Sequence, residues 1–205
     1  TGGPFKLNYA DKILALKGDG ILLKHPIKID WTRYVEESEH KNFSVVKASF
    51  NATPKLRDAF GINLDEFING TPPVEIEYNL TKGNNATIDA KIDLTPLEFM
   101  VQPFSYSKPP KIKGQASARI ILKGGEIQEI DRLSISTPDA SVKNARLKFG
   151  KLGKEWDVKT GTFTNTKLLK NKFDLKLERQ TPTAMRFNID AEYLDLLPFL
   201  SFKDK

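Results

Sequence analysis

The sequence predicts a mainly β fold: a curved antiparallel β-sheet, groove-shaped or sandwich-like, with one or two short helices near residues 54–69. Apolar and polar residues alternate with a period of two in one segment after another, as they do along half-buried strands. Clusters of Gly, Pro and Asn separate these segments. No helix-sized segments lie between the strands in the way that parallel crossovers require, so the strands are expected to pair antiparallel.

The N-terminal third contains three predicted strands. Residues 13–17 and 21–31 alternate around a turn signal at Gly18-Asp19-Gly20, and residues 43–50 form the third strand. The polar stretch 36–41 lies between the second and third strands and predicts a hairpin loop.

A short helical region follows these strands. Thr53 is a good N-cap, Pro54 suits the first helical position, and Gly61 is placed to end the helix. A second helical turn is expected from Asn63 to Gly70. Its expected buried residues are Leu64, Phe67 and Ile68.

The rest of the chain reads as strands. Residues 74–80 and 86–92 alternate on either side of the turn at 82–85 and predict an antiparallel hairpin. Residues 116–122, 145–149, 173–178 and 185–191 repeat the pattern. Further turn signals lie at Gly124-Gly125, at 150–153, at Gly161 and at Thr181-Pro182.

Length and composition limit the classes of protein to consider. The chain has 205 residues, of which 39% are hydrophobic and 28% charged. A compact protein of this mass would expose about 9,700 Å². We expect one β-rich module over residues 1–205, and the first residue, Thr1, suggests a piece of a longer repeat-built protein. Apolar runs of only a few residues exclude a transmembrane helix within the chain, and the absence of Cys excludes disulfides.

Charge permits an anionic partner without identifying one. The net charge is +6, which would suit nucleic acid, lipid headgroups or lipopolysaccharide. Lys greatly outnumbers Arg, and Arg is the better bidentate reader of bases and phosphates. The aromatic residues mostly share the apolar side of the strands rather than alternating with cations as a stacking platform would. No nucleic-acid partner is therefore expected.

Motifs for catalysis or metal binding do not emerge. His25 and His40 have no second ligand at metal-binding spacing, and both are expected to be solvated. The acidic residues Glu126, Glu129 and Asp131 do not match a calcium loop and are expected on a connection between strands. No Gly-x-Ser-x-Gly elbow occurs. We expect no enzyme activity, no cofactor and no metal.

The apolar side of the strands is the candidate functional surface. It either packs against a second layer or lines a groove for lipid, and the period alone does not separate the two. The small residues on it (Ala86, Ala90, Ala116, Ala118, Ala145 and Ala191) would either leave room for a lipid chain or bring two layers closer together. The candidate lining residues are Val74, Ile76, Tyr78, Ile88, Ile92, Ile120, Leu122, Leu147, Phe149, Phe173, Leu175, Phe187 and Ile189.

Several segments together resemble a known family. They are Asp-Leu-Thr-Pro at 93–96, Tyr-Ser-Lys-Pro-Pro at 106–110, the closing segment 193–200, the segment 64–73 that enters a strand, and the hairpin 20–31. With the repeated strand pattern, they are similar to the AsmA-like, YhdP-type envelope proteins of Gram-negative bacteria. The resemblance covers roughly residues 13 to 200. Ala191 departs from it, since the family often has Gly before the Leu-Asp-Leu element.

The resemblance implies a function without catalytic residues. Such proteins are anchored in the inner membrane by an N-terminal helix outside this chain, extend through the periplasm, and are implicated in phospholipid transport between the two membranes and in outer-membrane integrity. The implied partners are phospholipid acyl chains and adjacent modules of the same protein. The alternative is a structural spacer or docking domain without lipid in its core. Open sheet edges on an isolated piece would favour artefactual self-association.

Overall fold

The structure, a computed structural model, describes residues 2–35, 43–60, 62, 67–152 and 155–197. The protein is mainly β, with 71% of residues in strands, and the strands form a large antiparallel sheet, as predicted. The strands are β1 Phe5–Ala10, β2 Ile13–Leu22, β3 His25–Tyr34, β4 Ser44–Asn51, β5 Ile68–Asn69, β6 Pro73–Thr81, β7 Asn85–Asp93, β8 Glu98–Val101, β9 Tyr106–Lys108, β10 Gln115–Lys123, β11 Glu126–Ser136, β12 Ala140–Leu152, β13 Glu155–Leu168, β14 Asn171–Thr181 and β15 Ala184–Tyr193, and the helix α1 is Pro54–Ala59.

Twelve of these strands form one sheet in the order β1-β2-β3-β4-β6-β7-β10-β11-β12-β13-β14-β15. Each strand pairs antiparallel with the next, so the chain runs back and forth across the sheet. The remaining strands form a small sheet in the order β5-β8-β9. The edge strands β1 and β15 each pair with a single neighbour in the described part of the chain.

The large sheet has two distinct ends. The β2–β3 turn, the β13–β14 turn, and the two long connections 52–72 and 94–114 lie at one end, here called the lower edge. The turns at 11–12, 82–84, 124–125 and 182–183 lie at the opposite end, the upper edge. The two long connections carry α1 and the small sheet, so both belong to the lower edge.

The packing is that of a single layer over most of the sheet. Among the described residues, extensive contacts between elements join only strands that are hydrogen-bonded neighbours. The accessible surface is 13871 Å², well above the roughly 9,700 Å² expected for a compact protein of this mass. A face-to-face sandwich would bury one side of each strand and would show a smaller surface. The sheet is therefore a single layer over most of its area and not a sandwich.

The small sheet provides a packed core at the lower edge. Tyr106 packs with Ala140, Leu168 and Phe173 of the large sheet in one buried cluster. Phe104 stacks on Phe173 with ring centroids 5.2 Å apart and planes 5° from parallel. The small sheet thus forms a wall over the lower part of the apolar face, across β12 to β14.

Lys108 is buried inside this wall and stabilises it through hydrogen bonds. Its side chain is 1% exposed, and its ammonium group donates hydrogen bonds to the carbonyl oxygens of Leu97 at 2.8 Å and Pro109 at 3.2 Å. A longer contact of 3.5 Å joins it to the Thr95 carbonyl. The Phe99 ring centroid lies 5.9 Å from the same nitrogen. Burial lowers the pKa of Lys108, and the charge of nearby Asp93 acts in the opposite direction.

The first predicted turn is wrong. β2 runs through Gly18 and Gly20, and the turn falls at Leu23-Lys24. A Cβ atom at Gly18 would lie 2.5 Å from the carbonyl oxygen of Pro4 and 2.8 Å from the Phe5 ring. These glycines therefore allow the close approach of β1 rather than a reversal of the chain.

The turn predicted at Gly161 is wrong for a related reason, and the turn predicted at 150–153 starts inside β12, just before the paired residues Leu152 and Glu155. Gly161 lies within β13, where a Cβ atom would come 2.7 Å from Leu147 and 2.8 Å from Leu177. Gly150 lies within β12, and residues 153–154 are outside the described residues. The acidic residues 126, 129 and 131 lie along β11 rather than on a connection.

The helical region is confirmed in its first part. α1 begins at Pro54, and the Thr53 hydroxyl accepts a hydrogen bond from the Leu56 amide. Gly61, residues 63–66 and the predicted hairpin loop 36–41 lie outside the described residues. The second helical turn is wrong where it can be compared, because Ile68 and Asn69 form β5 and Phe67 is 57% exposed.

Several register shifts occur in the C-terminal half of the sheet, and three of them are β-bulges at a residue with positive φ. The register shifts at Arg132 in β11, Asn144 in β12 and Asn165 in β13, and all three residues have positive φ. Each bulge adds one residue to its strand, so apolar side chains three positions apart stay on the same face. Asn tolerates this left-handed conformation better than most residues, which suits two of the three positions.

Candidate functional site

One apolar row crosses the entire large sheet. Directly paired residues of neighbouring strands project on the same side, so the register defines the row. At about 4.8 Å between strands, it extends over about 53 Å. The row consists of Leu7, Leu16, Trp31, Val46, Tyr78, Ile88, Ile120, Ile130, Leu147, Gly161, Leu177 and Phe187.

All thirteen candidate lining residues lie on this face. Tyr78, Ile88, Ile120, Leu147 and Phe187 belong to the row itself. The other eight fall in rows parallel to it, and these are Val74, Ile76, Ile92, Leu122, Phe149, Phe173, Leu175 and Ile189.

The degree of exposure divides the candidates into three groups. Val74 is 9% and Phe173 7% exposed, and Phe173 is covered by the wall at the lower edge. Phe187 is 60% and Ile189 41% exposed on the edge strand β15. The others are half-buried by their neighbours in the sheet. Much of the face is thus apolar and at least partly exposed, apart from the area beneath the wall and the positions around Val74 and Ile27.

Seven residues of the row are missing from the sequence-based candidates. They are Leu7, Leu16, Trp31, Val46, Ile130, Gly161 and Leu177. Leu16 and Trp31 were separated by the wrongly placed turn, and the bulge at Arg132 interrupts the alternation around Ile130. Cross-strand register is the signal that identifies them, and it requires all neighbouring strands to be aligned together.

Some of the small residues of this face are covered by neighbouring side chains. Ala145 is 0% and Ala86 5% exposed, so neighbouring side chains already cover both. Leu147 and Leu177 close over Gly161 in the same way. These three positions are thus covered by side chains of the sheet, whereas Ala90, Ala116 and Ala118 are half-buried and Ala191 is exposed.

A cationic residue, Arg33, lies at the upper end of the same face. Arg33 pairs with Leu14 and Ser44 in the register, which places it on the apolar side of β3. Its guanidinium lies 5.6 Å from the centroid of the Phe43 ring. The nearby Trp31 indole donates a hydrogen bond to the Ser44 hydroxyl at 2.8 Å. At β3 and β4, the upper end of the apolar face therefore carries a cation and a hydroxyl group.

The opposite face carries rows of paired charges. Arg119 donates two hydrogen bonds to Asp89, at 2.7 and 2.8 Å. Lys17 and Asp30 form another cross-strand pair at 3.1 Å. A depression of about 750 Å³ over β2 to β10 is lined by these paired side chains. Because the charges satisfy one another, this face is suited to water and to fixing the strand register.

One charge cluster predicts acid sensitivity. Arg146 contacts Asp131 at 2.7 Å and Glu129 at 2.8 Å, and the hydrogen bond from Arg146 lowers the pKa of Asp131. A lowered carboxyl pKa stabilises the fold fully above about pH 4, and this stabilisation is lost as the pH falls through the folded-state value. We expect Asp131→Asn to lower the free energy of unfolding by about 1 kcal/mol at neutral pH. Below about pH 4, its stability should fall less steeply with decreasing pH than that of the wild type.

Thermal unfolding of both proteins between about pH 2 and pH 6 measures this difference. Asp190→Asn, which removes an exposed carboxylate of β15, is the matched control and should follow the wild type. Identical acid limbs for Asp131→Asn and wild type would contradict the role given to this pair.

Two sequence-based expectations about histidine have different outcomes. His25 is half-buried, and its Nε2 lies 3.1 Å from the Thr53 hydroxyl, so it links β3 to the start of α1 instead of being freely solvated. His40 lies outside the described residues. Within the described part of the chain, no group of three or more potential ligands is arranged to hold a metal ion.

Comparison with protein-family models, with curated proteins and with solved structures finds no match for this chain. The resemblance to the AsmA-like envelope proteins therefore remains an expectation based on residue patterns. Among the described residues, no helix is long and apolar enough to cross a membrane.

Proposed function

We propose that this protein is a non-enzymatic envelope module that carries phospholipid acyl chains on the apolar face of its large sheet, as part of phospholipid transport between the inner and outer membranes. The observation that supports this most directly is the apolar row across twelve strands on a face that lacks a second large layer among the described residues. Each CH₂ group removed from water on such a surface contributes about 0.8 kcal/mol.

The length of the row favours passage over storage. One leaflet of a bilayer is about 15 Å thick in its hydrocarbon part, half of the roughly 30 Å core. The row extends over about 53 Å, several times the length of one tail. A chain that slides from strand to strand exchanges one apolar contact for an equivalent one, so no large barrier separates successive positions.

The borders of the face fit a lipid that keeps its headgroup in water. The wall closes the lower part of the face with packed aromatic residues, Phe104 and Tyr106 among them. The upper end is open and carries Arg33, whose planar guanidinium is suited to a phosphate. Acyl chains would lie against the sheet while phosphate groups remain near the upper edge.

A structural spacer is the alternative, and the packed cluster around Phe173 favours it. There the small sheet already covers the apolar face without any ligand. If further elements of a longer protein covered the rest in the same way, the row would be a core and not a groove.

Lipid analysis of the protein purified from bacterial cells without detergent separates the two functions. Native mass spectrometry and organic extraction should detect phospholipid bound to the protein. A lipid-free protein that melts cooperatively and takes up no phospholipid from vesicles would contradict the transport function and support the spacer.

A further inference from the structure

Two turns and one long connection of the lower edge expose apolar side chains, whereas the β11–β12 turn 137–139 is Thr-Pro-Asp. Leu23 in the β2–β3 turn is 56% exposed, and Leu169 in the β13–β14 turn is 42% exposed. Ile112, in the connection that enters β10, is 41% exposed. None of the three contributes to the buried cluster beneath the wall.

The two leucines also occupy backbone positions that the fold would fill more easily with other residues. Leu23 has φ 49° and Leu169 has φ 56°. Gly, Asn and Asp adopt this left-handed conformation readily, whereas a bulky side chain is an outlier there. Exposure and backbone strain both act against leucine at these sites, so packing does not explain its presence. Strain of this kind is characteristic of functional positions.

In the described turns of the upper edge, the residues with positive φ are Gly, Asn, Asp and one Lys. The β1–β2 turn uses Asp11 and Lys12 at positive φ, and the β10–β11 turn uses Gly124 and Gly125. The turn before β7 uses Gly83 and Asn84. Among the described residues, the two apolar residues with positive φ therefore both lie at the lower edge, although the upper edge also exposes Val35.

Lysine accompanies each apolar tip. Lys24 follows Leu23, Lys170 follows Leu169, and Ile112 lies between Lys111 and Lys113. All four lysines are exposed. Apolar side chains that enter the headgroup region beside cations that meet anionic lipid are the two components of interfacial membrane binding.

We propose that the lower edge docks on the surface of an anionic phospholipid membrane, with Leu23, Leu169 and Ile112 inserted at the headgroup boundary and the adjacent lysines on lipid phosphates. The docking surface is separate from the apolar row and requires no lipid in the groove. It would hold the sheet with its lower edge toward the membrane and its upper edge away from it.

Flotation with vesicles tests this directly. Vesicles of phosphatidylcholine mixed with phosphatidylglycerol should retain the protein, and vesicles of phosphatidylcholine alone should retain much less. Raising the ionic strength from about 0.1 M to about 1 M shortens the Debye length from about 10 Å to about 3 Å and should weaken retention.

Two double variants test whether the lower edge is the part that contacts the membrane. Leu23→Asn with Leu169→Asn should reduce partitioning about tenfold or more while the melting temperature stays equal or rises, because Asn fits the left-handed position better. Lys24→Ala with Lys170→Ala should reduce it about 25-fold, at roughly fivefold for each lysine near an anionic surface. Lys123→Ala, which removes an exposed lysine of the upper edge, is the matched control and should have little effect.

Ile88→Asp, a substitution in the apolar row, separates membrane docking from lipid binding on the row. It should leave vesicle binding unchanged even though it alters the apolar row. The proposal is overturned if the protein does not bind anionic vesicles, if it binds neutral vesicles equally well, or if the leucine and lysine variants bind as the wild type does. Loss of binding in Ile88→Asp alone would assign the membrane contact to the groove instead.

Discussion

Ile120→Asp and Leu147→Asp are expected to abolish phospholipid binding by the folded protein. Ile120 lies in the middle of the apolar row, between Ile88 and Ile130 of the neighbouring strands. A carboxylate there either keeps its water, which breaks the apolar path, or loses it at a cost of several kcal/mol. The desolvation cost is several times the gain of about 0.8 kcal/mol from one CH₂ group in contact with the row.

The effect should appear as a block and not as a gradual decline. A chain that slides along the row must pass every strand, so one charged position interrupts transfer even if the rest of the face stays apolar. Lipid content should fall at least about tenfold in extraction experiments, which corresponds to a loss of about 1.4 kcal/mol. Transfer between donor and acceptor vesicles should stop.

Ser117→Asp is the matched control for Ile120→Asp. It adds the same charge to the same strand, but Ser117 is exposed and projects on the opposite, charged face. It should bind lipid as the wild type does. A cooperatively folded Ile120→Asp protein that retains wild-type lipid content would contradict the transport function, and equal losses in both variants would indicate damage to the sheet.

The sequence was sufficient to predict the strands because alternation is a local property. Val74 to Leu80 and Ala86 to Ile92 alternate without interruption, and they form β6 and β7 as predicted. Thr53 and Pro54 carry the capping signal of α1 in two adjacent residues, so that helix was also predictable. Each of these signals depends on neighbours in the chain and not on the rest of the fold.

Glycine was misread because its role here depends on distant residues. Gly18 permits the approach of Pro4 and Phe5, and Gly161 lies beneath Leu147 and Leu177. Neither position needs positive φ, so neither is a turn. The turns at Leu23 and Leu169 were missed for the converse reason, since leucine at a left-handed position gives no turn signal.

Local sequence patterns do not show that the candidate site is one continuous row. Bulges at Arg132, Asn144 and Asn165 change the spacing of apolar residues from two to three in adjacent strands. A strictly alternating pattern therefore loses its phase at each bulge, although the side chains stay on one face. Only the aligned register of all strands joins the separate segments into a single row.

Lys108→Met is expected to produce the largest loss of stability at the wall. The change keeps the length of the side chain but removes the donor from the carbonyl groups of Leu97, Pro109 and Thr95. A buried acceptor without a partner costs about 1–3 kcal/mol, and removal of a buried charge returns part of this. We expect a net loss of about 2 kcal/mol and earlier exchange of amide hydrogens in β8 and β9.

The pH dependence of this loss provides a second, independent measurement. Burial lowers the pKa of Lys108, so the folded state releases this proton at a lower pH than the unfolded state does. The wild type therefore gains stability as the pH rises from the folded-state value toward about 10.4, where the unfolded lysine also titrates. Lys108→Met cannot titrate there, so its stability should lack this rise.

Lys111→Met is the matched control for Lys108→Met. Lys111 lies three positions further along the same connection and is exposed, so the same substitution there removes a solvated charge without leaving buried carbonyl groups. Chemical denaturation at neutral pH should give wild-type stability for Lys111→Met and a lower midpoint for Lys108→Met. Equal midpoints for the two variants would mean that the wall holds its place through Phe104, Tyr106 and Phe173 alone, and that the buried ammonium group contributes nothing to it.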